Sequence, residues 1–263
     1  MADLALLRAR LAALSGTGRQ ELETTIPFGI PALDGRLPWG GLKRAGLYEV
    51  EGDAGPALGF CLALARLVAG SGGILLWCAT RRQDLERGAL YGPGLGPFGL
   101  APDRLLSVRT RTAREALWTL EEGLRSRGIA AAIGALDEVP MIASRRLQLA
   151  AESNGAAAFL LLNAPRGRAP SAALARWSVA AAPGRAAANG TPNVRPGIWR
   201  VELARCRGGG VGTWLMEWND ETHRLALAAS PRDRSRLPAP PRAAEASPGD
   251  GRGAERPRLR LRG

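Results

Sequence analysis

Apolar runs of strand length alternate along the chain with segments in which leucine and alanine recur at helical spacing. The runs cover residues 73–79, 129–136 and 156–162, and each is unbroken, as expected for parallel strands covered on both faces. A capping pair, Thr112 followed by Glu115, predicts the start of a helix ahead of the second run. Residues 104–109 predict a short strand, and a helix after the second run is expected to end near Asn154 and Gly155. Residues 80–103 contain five Gly and three Pro and are expected to be loop-rich. The pattern predicts a three-layer α/β domain with a mostly parallel sheet.

The last part of this pattern predicts an antiparallel hairpin. Residues 198–204 alternate between apolar and charged, and residues 214–218 return after a glycine turn at 208–210. Arg205 and Arg207 flank that turn. They either contact a phosphate or an acidic partner, or form the solvated end of a hairpin.

The two ends of the chain differ from this middle part. Leucines at positions 4, 7, 11 and 14 recur at helical spacing, so residues 1–23 predict a helix and linker that either packs on the domain or meets a partner. Residues 230–263 contain six Pro and no aromatic, Val or Ile, which predicts a disordered tail. The domain is therefore expected at residues 24–229. The tail offers candidate DNA or protein contacts at Arg256, Arg258, Arg260 and Arg262, although a high overall use of arginine explains them equally well.

Residues 46–59 lie where a nucleotide-binding protein carries its phosphate loop. A strand leads into a turn from Gly52 to Gly55, and an almost wholly apolar helix follows. In the signature G-x-x-x-x-G-K-[ST], a lysine and a hydroxyl hold the phosphates and Mg²⁺. Counted from Gly52, the last three places hold other residues, and Lys43 is the only lysine of the chain. The residues of this degenerate loop are Gly52, Asp53, Gly55, Ala57, Leu58 and Gly59.

Because the lysine and the hydroxyl are replaced, we predict that the protein has no catalytic residues, binds no cofactor and does not hydrolyse ATP. Asp137, at the end of an apolar run, either holds Mg²⁺ through water or marks the end of a strand, and the second interpretation is favoured. The three cysteines are isolated, so neither a zinc site nor a disulfide framework is expected. His223 is the only histidine and is expected in a turn between strands.

The charge of the chain points to polyanionic partners. The formal net charge is +12 and the isoelectric point is near 11.2, values typical of proteins that meet nucleic acid. Residues 230–263 hold nine Arg against four acids, so the tail supplies five of those charges. Arg8 and Arg10 interrupt the apolar positions of the N-terminus, so neither a secretory signal nor a membrane span is expected there.

The order of motifs from residue 24 onward resembles the entry to the ATPase core of RecA-type recombinases. The shared order is G-x-x-x-L-D at 29–34, G-G-L at 40–42, and a strand that ends in Gly52. A second departure accompanies the altered loop. In that family the next strand leads to a catalytic glutamate, whereas here residues 74–79 lead to Thr80, Arg81 and Arg82.

A narrower family fits better, because the chain is similar to the ImuA family of damage-inducible mutagenesis proteins over roughly residues 24–229. The segments that carry this resemblance are residues 57–60, 91–93, 98–106, 144–152 and 205–209. The resemblance implies a RecA-like fold and a cytoplasmic accessory factor of error-prone translesion synthesis, induced by the SOS response. It implies an ImuB-like, polymerase-related partner and, through it, an error-prone replicative-type polymerase. RecA and DNA are further candidate partners.

Three other classes of protein are also compatible with a phosphate loop that lacks its lysine and its hydroxyl. One is an SOS cell-division inhibitor, which has a related but shorter fold. Another is a divergent ATPase that uses Lys43 or Arg44 in place of the loop lysine. The third is a regulator of RecA filaments that acts through the N-terminal helix.

Overall fold

The structure, a computed structural model, describes residues 25–70, 72–162, 169–183 and 197–228. Its strands are β1 (Thr25–Ile26), β2 (Leu42–Lys43), β3 (Gly46–Gly52), β4 (Ile74–Thr80), β5 (Leu105–Thr110), β6 (Ile129–Leu136), β7 (Ala157–Leu162), β8 (Ala175–Ala181), β9 (Trp199–Cys206), β10 (Gly212–Asn219) and β11 (Arg224–Leu227). Its helices are α1 (Pro31–Asp34), α2 (Ala54–Ala69), α3 (Arg81–Arg87), α4 (Ala113–Arg125) and α5 (Met141–Asn154), with 3-10 turns at Gly92–Phe98 and Pro102–Arg104.

Nine of the strands form one sheet in the order β11-β10-β9-β8-β3-β7-β6-β4-β5. The six strands from β8 to β5 pair in parallel, and β9, β10 and β11 continue the sheet with antiparallel pairing. The prediction of an α/β fold with a mostly parallel sheet and a C-terminal hairpin is confirmed. The strand order, with β7 between β3 and β6, is consistent with a RecA-like fold.

The sheet separates two hydrophobic cores. On one face Tyr48 and Val50 of β3 pack with α2, whose residues are apolar on nearly every side because the helix is covered on nearly every side. On the other face Leu47 packs with the buried residues of α4 and α5. In the described part of the chain, none of these helices has the length and apolarity needed to cross a membrane.

A buried ion pair lies at the centre of the sheet. The Nε atom of Arg176 on β8 lies 2.8 Å from Oε2 of Glu49 on β3, and both side chains are almost completely buried. The Ser171 hydroxyl donates to Oε1 of Glu49 at 2.6 Å and lies 3.2 Å from the hydroxyl of Ser144 on α5. Arg176 also donates from Nη2 to the Ala169 carbonyl at 3.0 Å. The network joins two adjacent strands to the helix above them.

The predicted elements of the middle of the chain are found with small shifts. Strand β6 has the predicted bounds, β4, β5 and β7 differ by one residue, and α5 ends at Asn154 before Gly155, which is left-handed with φ 71°. Thr112 caps α4 by accepting from the Glu115 amide at 3.2 Å. The Glu115 carboxylate accepts from the Arg111 amide instead of completing a capping box. The predicted N-terminal helix and linker, residues 184–196 and the predicted tail from residue 230 lie outside the described residues.

The structure adds detail to the predicted elements at two places. Residues 80–103, expected to be loop-rich, contain α3 and the two 3-10 turns. Helix α3 forms because the Thr80 hydroxyl and the Gln83 side chain complete a capping box. The strand expected after His223 is β11, for which no bounds were predicted, and it adds a third antiparallel strand next to β10.

The segment with the 3-10 turns is held against the end of the sheet. Trp218 of β10 donates from its indole nitrogen to the Pro97 carbonyl at 2.8 Å, and its ring centroid lies 5.5 Å from that of Phe98. His223 lies in the turn between β10 and β11, as predicted, but it is half-buried beside Gly99. These contacts order a glycine-rich and proline-rich segment that carries little secondary structure of its own.

Replacing Arg176 with leucine leaves the Glu49 carboxylate buried without its cation, so we predict that the free energy of unfolding falls by about 3–5 kcal/mol. Urea unfolding followed by tryptophan fluorescence measures the change. The matched control, Arg200→Leu at an exposed position of β9, changes stability by less than about 0.5 kcal/mol. The double variant Glu49→Leu/Arg176→Leu recovers most of the loss because no charge stays unpaired. A loss in Arg176→Leu no larger than that of the control would contradict this role.

Candidate functional site

The junction between β3 and α2, where a phosphate loop was sought, is a tight turn. Only Asp53 separates the end of β3 at Gly52 from the start of α2 at Ala54. Gly52 has φ 127°, and a Cβ atom there would collide with the Val179 carbonyl of β8, so only glycine fits. The Asp53 amide donates to the Val179 carbonyl at 2.9 Å, and its carboxylate accepts from the Ala181 amide at 2.8 Å. The turn is therefore fastened to β8.

The other residues of the degenerate loop lie within α2 instead of a loop. The helix already includes Gly55, Ala57, Leu58 and Gly59, which the sequence placed in or next to the turn. Ala57 is buried, and a Cβ atom on Gly59 would lie 2.8 Å from Cζ2 of Trp199. A phosphate loop needs a run of free backbone amides between strand and helix. One residue cannot provide that run. The expectation that no cofactor binds at these residues stays a prediction.

An apolar groove of about 490 Å³ lies beside this junction. We call it the α2 groove. One wall is the first half of α2, with Leu58 and Leu62, and the opposite wall is the segment with Leu90, Tyr91 and Phe98. Tyr91 stands at the rim with 71% of its surface exposed. The groove offers hydrocarbon and aromatic surface to a ligand.

A smaller pocket of about 150 Å³ lies on the other side of Leu58, next to Trp77 and Leu161. Gly55, Leu58 and Leu90 line both it and the α2 groove. Gln83, Asp84 and Arg87 also line the smaller pocket, so the surface next to the first turn of α2 is apolar in the α2 groove and of mixed polarity in the smaller pocket. Charge-assisted contacts of the kind that stabilise a bound phosphate are absent from the residues that line the α2 groove.

The carboxylate of Asp137, directly after β6, is bound by two side chains of α3. Arg82 donates from Nη2 to Oδ2 at 3.1 Å, and Nε2 of Gln83 lies 3.5 Å from Oδ1. Arg82 also pairs with Glu86 at 3.1 Å. A guanidinium thus lies beside the carboxylate that the sequence offered as a Mg²⁺ ligand. In the described ranges, His, Cys, Asp and Glu do not form a group of three that could hold a metal ion.

Arg205 and Arg207 contact the segment that precedes β8. Arg205 donates to the Ser171 carbonyl at 3.2 Å, and Arg207 donates from Nη2 to the Ala172 carbonyl at 2.6 Å. These bonds favour a structural role for both side chains, while a partner contact stays a prediction. The structure does not bring them near the α2 groove lining. The four arginines at positions 256, 258, 260 and 262 lie outside the described residues.

The cysteines contribute no reactive thiolate to this site. Burial raises the pKa of the Cys61 thiol on α2 and raises that of Cys78 on β4 to about 11. Cys206, half-buried at the end of β9, also has its pKa raised by burial. A thiol with a raised pKa is a poor nucleophile at neutral pH, so these side chains act as small apolar residues.

The sequence did not reveal the α2 groove. The wall with Leu90, Tyr91 and Phe98 belongs to a segment expected to be loop-rich. The wall formed by α2 contains residues that were interpreted as a degenerate phosphate loop. The available signal was the cluster of Leu90, Tyr91 and Phe98 among glycines and prolines, since large apolar residues in a loop need a surface to cover. Sequence reasoning also missed the buried pair of Glu49 and Arg176.

These observations define an α/β protein with a mostly parallel sheet, in which a closed turn and an apolar groove stand at the β3–α2 junction. No family model matches the sequence. The chain is 36% identical over 218 residues to Protein ImuA of Caulobacter vibrioides (strain NA1000 / CB15N). The matched region covers 75% of this chain and 85% of that protein. Protein ImuA of the strain ATCC 19089 / CIP 103742 / CB 15 matches with the same values. The chain therefore belongs to the ImuA family, and the resemblance found in the sequence is confirmed.

Restoring the lysine of the phosphate-loop signature should not restore its chemistry. We predict that Leu58→Lys shows no saturable binding of Mg²⁺-ATP in calorimetric titration, because residue 58 lies in α2 and no loop of free amides precedes it. The volume-conserving control Leu58→Met should behave like the unmodified chain.

We also predict that the unmodified chain hydrolyses no ATP above background. Turnover that Asp137→Asn abolishes would contradict this and support the divergent ATPase.

Proposed function

We propose that this chain is a non-catalytic accessory protein of error-prone translesion synthesis, induced by DNA damage as part of the SOS response. Membership of the ImuA family supports a role in damage-inducible mutagenesis. The observation that carries the accessory role is the β3–α2 junction. A one-residue turn stands where a phosphate loop would be, and an apolar groove lies beside it.

The chemistry of the groove favours a protein segment as its ligand. A phosphate taken out of water needs cationic or amide donors, and the residues that line the groove offer hydrocarbon and aromatic rings. The exposed Asp53 carboxylate at the start of α2 adds a negative charge that repels an anion. Apolar side chains of a partner gain about 25 cal/mol for each Å² removed from water there. The site thus supports binding of a protein without catalysis.

The proposed direct partner is an ImuB-like, polymerase-related protein, and through it an error-prone replicative-type polymerase. RecA and DNA are further candidates, and the net charge of +12 supports a polyanion among the partners. The proposed location is the cytoplasm, where these partners act on DNA.

A strain that lacks this gene tests the proposal, with ultraviolet-induced mutation and cell length scored together. We predict that induced mutation collapses toward the spontaneous level while damaged cells still elongate. If induced mutation is unchanged and damaged cells no longer delay division, the cell-division inhibitor is the correct class and the proposal is wrong.

A second test addresses the α2 groove itself. We predict that Tyr91→Asp, placed in the chromosomal copy, lowers induced mutation several-fold, because a carboxylate at the rim opposes burial of apolar partner surface. The matched control is Val211→Asp, since Val211 is also exposed (59%) but lies in the turn between β9 and β10. Both variants should accumulate to the level of the unmodified protein in immunoblots. Equal induced mutation in the two variants would show that the groove is not the binding surface.

A further inference from the structure

A second groove, of about 610 Å³, lies between α4 and α5 on the opposite face of the sheet. We call it the α4–α5 groove. Leu117 and Leu147 line it, and Trp118 stands at its rim with 62% of its surface exposed. Ile142 and Leu149, seven residues apart on α5, are 77% and 60% exposed. On the helix face that these two residues share, Arg145 and Arg146 lie between them, and neither Ile142 nor Leu149 lines the groove. The apolar residues inside the groove, together with Trp118 at its rim, fit the apolar face of an amphipathic helix.

Two charged side chains lie at the end of this groove where α4 and α5 begin. Glu121, inside the groove, is bound by Arg125 at 2.7 Å and by Arg146 at 2.6 Å. Arg114 at the start of α4 and Glu138 before α5 also line the groove. Among the residues that the structure describes, neither side chain has a hydrogen-bond or ion-pair partner. A fitting helix should therefore carry an acid on one flank of its apolar stripe and a base on the other.

We infer that residues 2–14 of this same chain occupy the α4–α5 groove as a helix. Their leucines at 4, 7, 11 and 14 would lie on one face. At 100° per residue, Asp3 and Arg8 fall on opposite flanks of that face, and Arg10 falls on the flank of Asp3 about two turns further along the segment. If the segment runs parallel to α4 and α5, its first turns lie at the rim with Arg114 and Glu138. Asp3 then faces Arg114, and Arg8 faces Glu138.

The path of the chain agrees with this placement. Thr25, the first described residue, pairs with Lys43 of β2, three residues before β3 begins at Gly46. The Gly46 amide donates to the Ala156 carbonyl, two residues after the end of α5. The chain thus enters the described part close to the C-terminal end of α5. Residues 15–24 can span about 33 Å when extended. Helix α5, with 14 residues, is about 21 Å long, so the linker reaches the groove.

Disulfide trapping in the full chain tests this inference. In a Cys206→Ser background, Leu7→Cys is combined with Ala143→Cys in the α4–α5 groove or with Leu90→Cys in the α2 groove. We expect oxidation to link positions 7 and 143 within one chain, seen as a monomer of altered mobility on a non-reducing gel. A link to position 90, a link between two chains, or no link in a folded protein would overturn the inference. Thermal unfolding shows that each variant is folded.

Charge reversal gives an independent test of the orientation. Arg114→Glu should slow formation of the link between positions 7 and 143, and Asp3→Arg in the same chain should restore it. Restoration is the outcome that a merely structural effect of Arg114 would not produce. An unchanged rate in Arg114→Glu, or no restoration by Asp3→Arg, would overturn the proposed orientation.

The reactivity of a single thiol measures how firmly the segment is bound. In Ala143→Cys, we expect Leu7→Asp/Leu11→Asp to raise the rate of modification by a bulky maleimide about tenfold, which corresponds to docking worth about 1.4 kcal/mol. The matched control Ala5→Asp/Ala9→Asp places the same charges on the opposite face of the segment and should leave the rate unchanged. Equal rates in the two double variants would overturn the inference.

Discussion

The ion pair between Glu49 and Arg176 is the interaction on which the rest of the structure depends. Two charges taken out of water are stable only when each has close partners, and here the two partners lie on adjacent strands. Through Ser171 and Ser144 the same network reaches α5. Because a shift of one residue would move either side chain to the opposite face, the network fixes how β8 aligns with β3.

That alignment determines what the β3–α2 junction can do. The carbonyl of Val179 and the amide of Ala181, both on β8, hold the backbone and the carboxylate of Asp53. They reach Asp53 only if β8 keeps its register with β3. With Asp53 fixed, α2 begins at once, and Leu58 lies on the helix between the apolar α2 groove and a smaller pocket of mixed polarity. The buried charged network thus determines where the α2 groove lies, beside the junction between β3 and α2.

The sequence permitted prediction of elements whose cause is local. Strand β6 and the end of α5 follow from an unbroken apolar run and from a left-handed glycine, both readable within a few residues. The pair of Glu49 and Arg176 could not be predicted, because 127 positions separate the two residues and each lies in an otherwise apolar strand. The α2 groove combines residues from three distant segments for the same reason. Capping of α3 by Thr80 and Gln83 was local, but glycines and prolines downstream obscured it.

The change at the phosphate-loop position is more than an exchange of side chains. The ring of Trp199 lies so close to Gly59 that a side chain at residue 59 requires the ring to shift. Gly52 is confined more strictly, because the atoms next to it belong to the backbone of β8. At the phosphate-loop position, the lysine and the hydroxyl are therefore missing, and the backbone between β3 and α2 forms a tight turn packed against β8 instead of an open loop. Because these contacts are buried and depend on one another, single substitutions change the groove more readily than they reopen a loop.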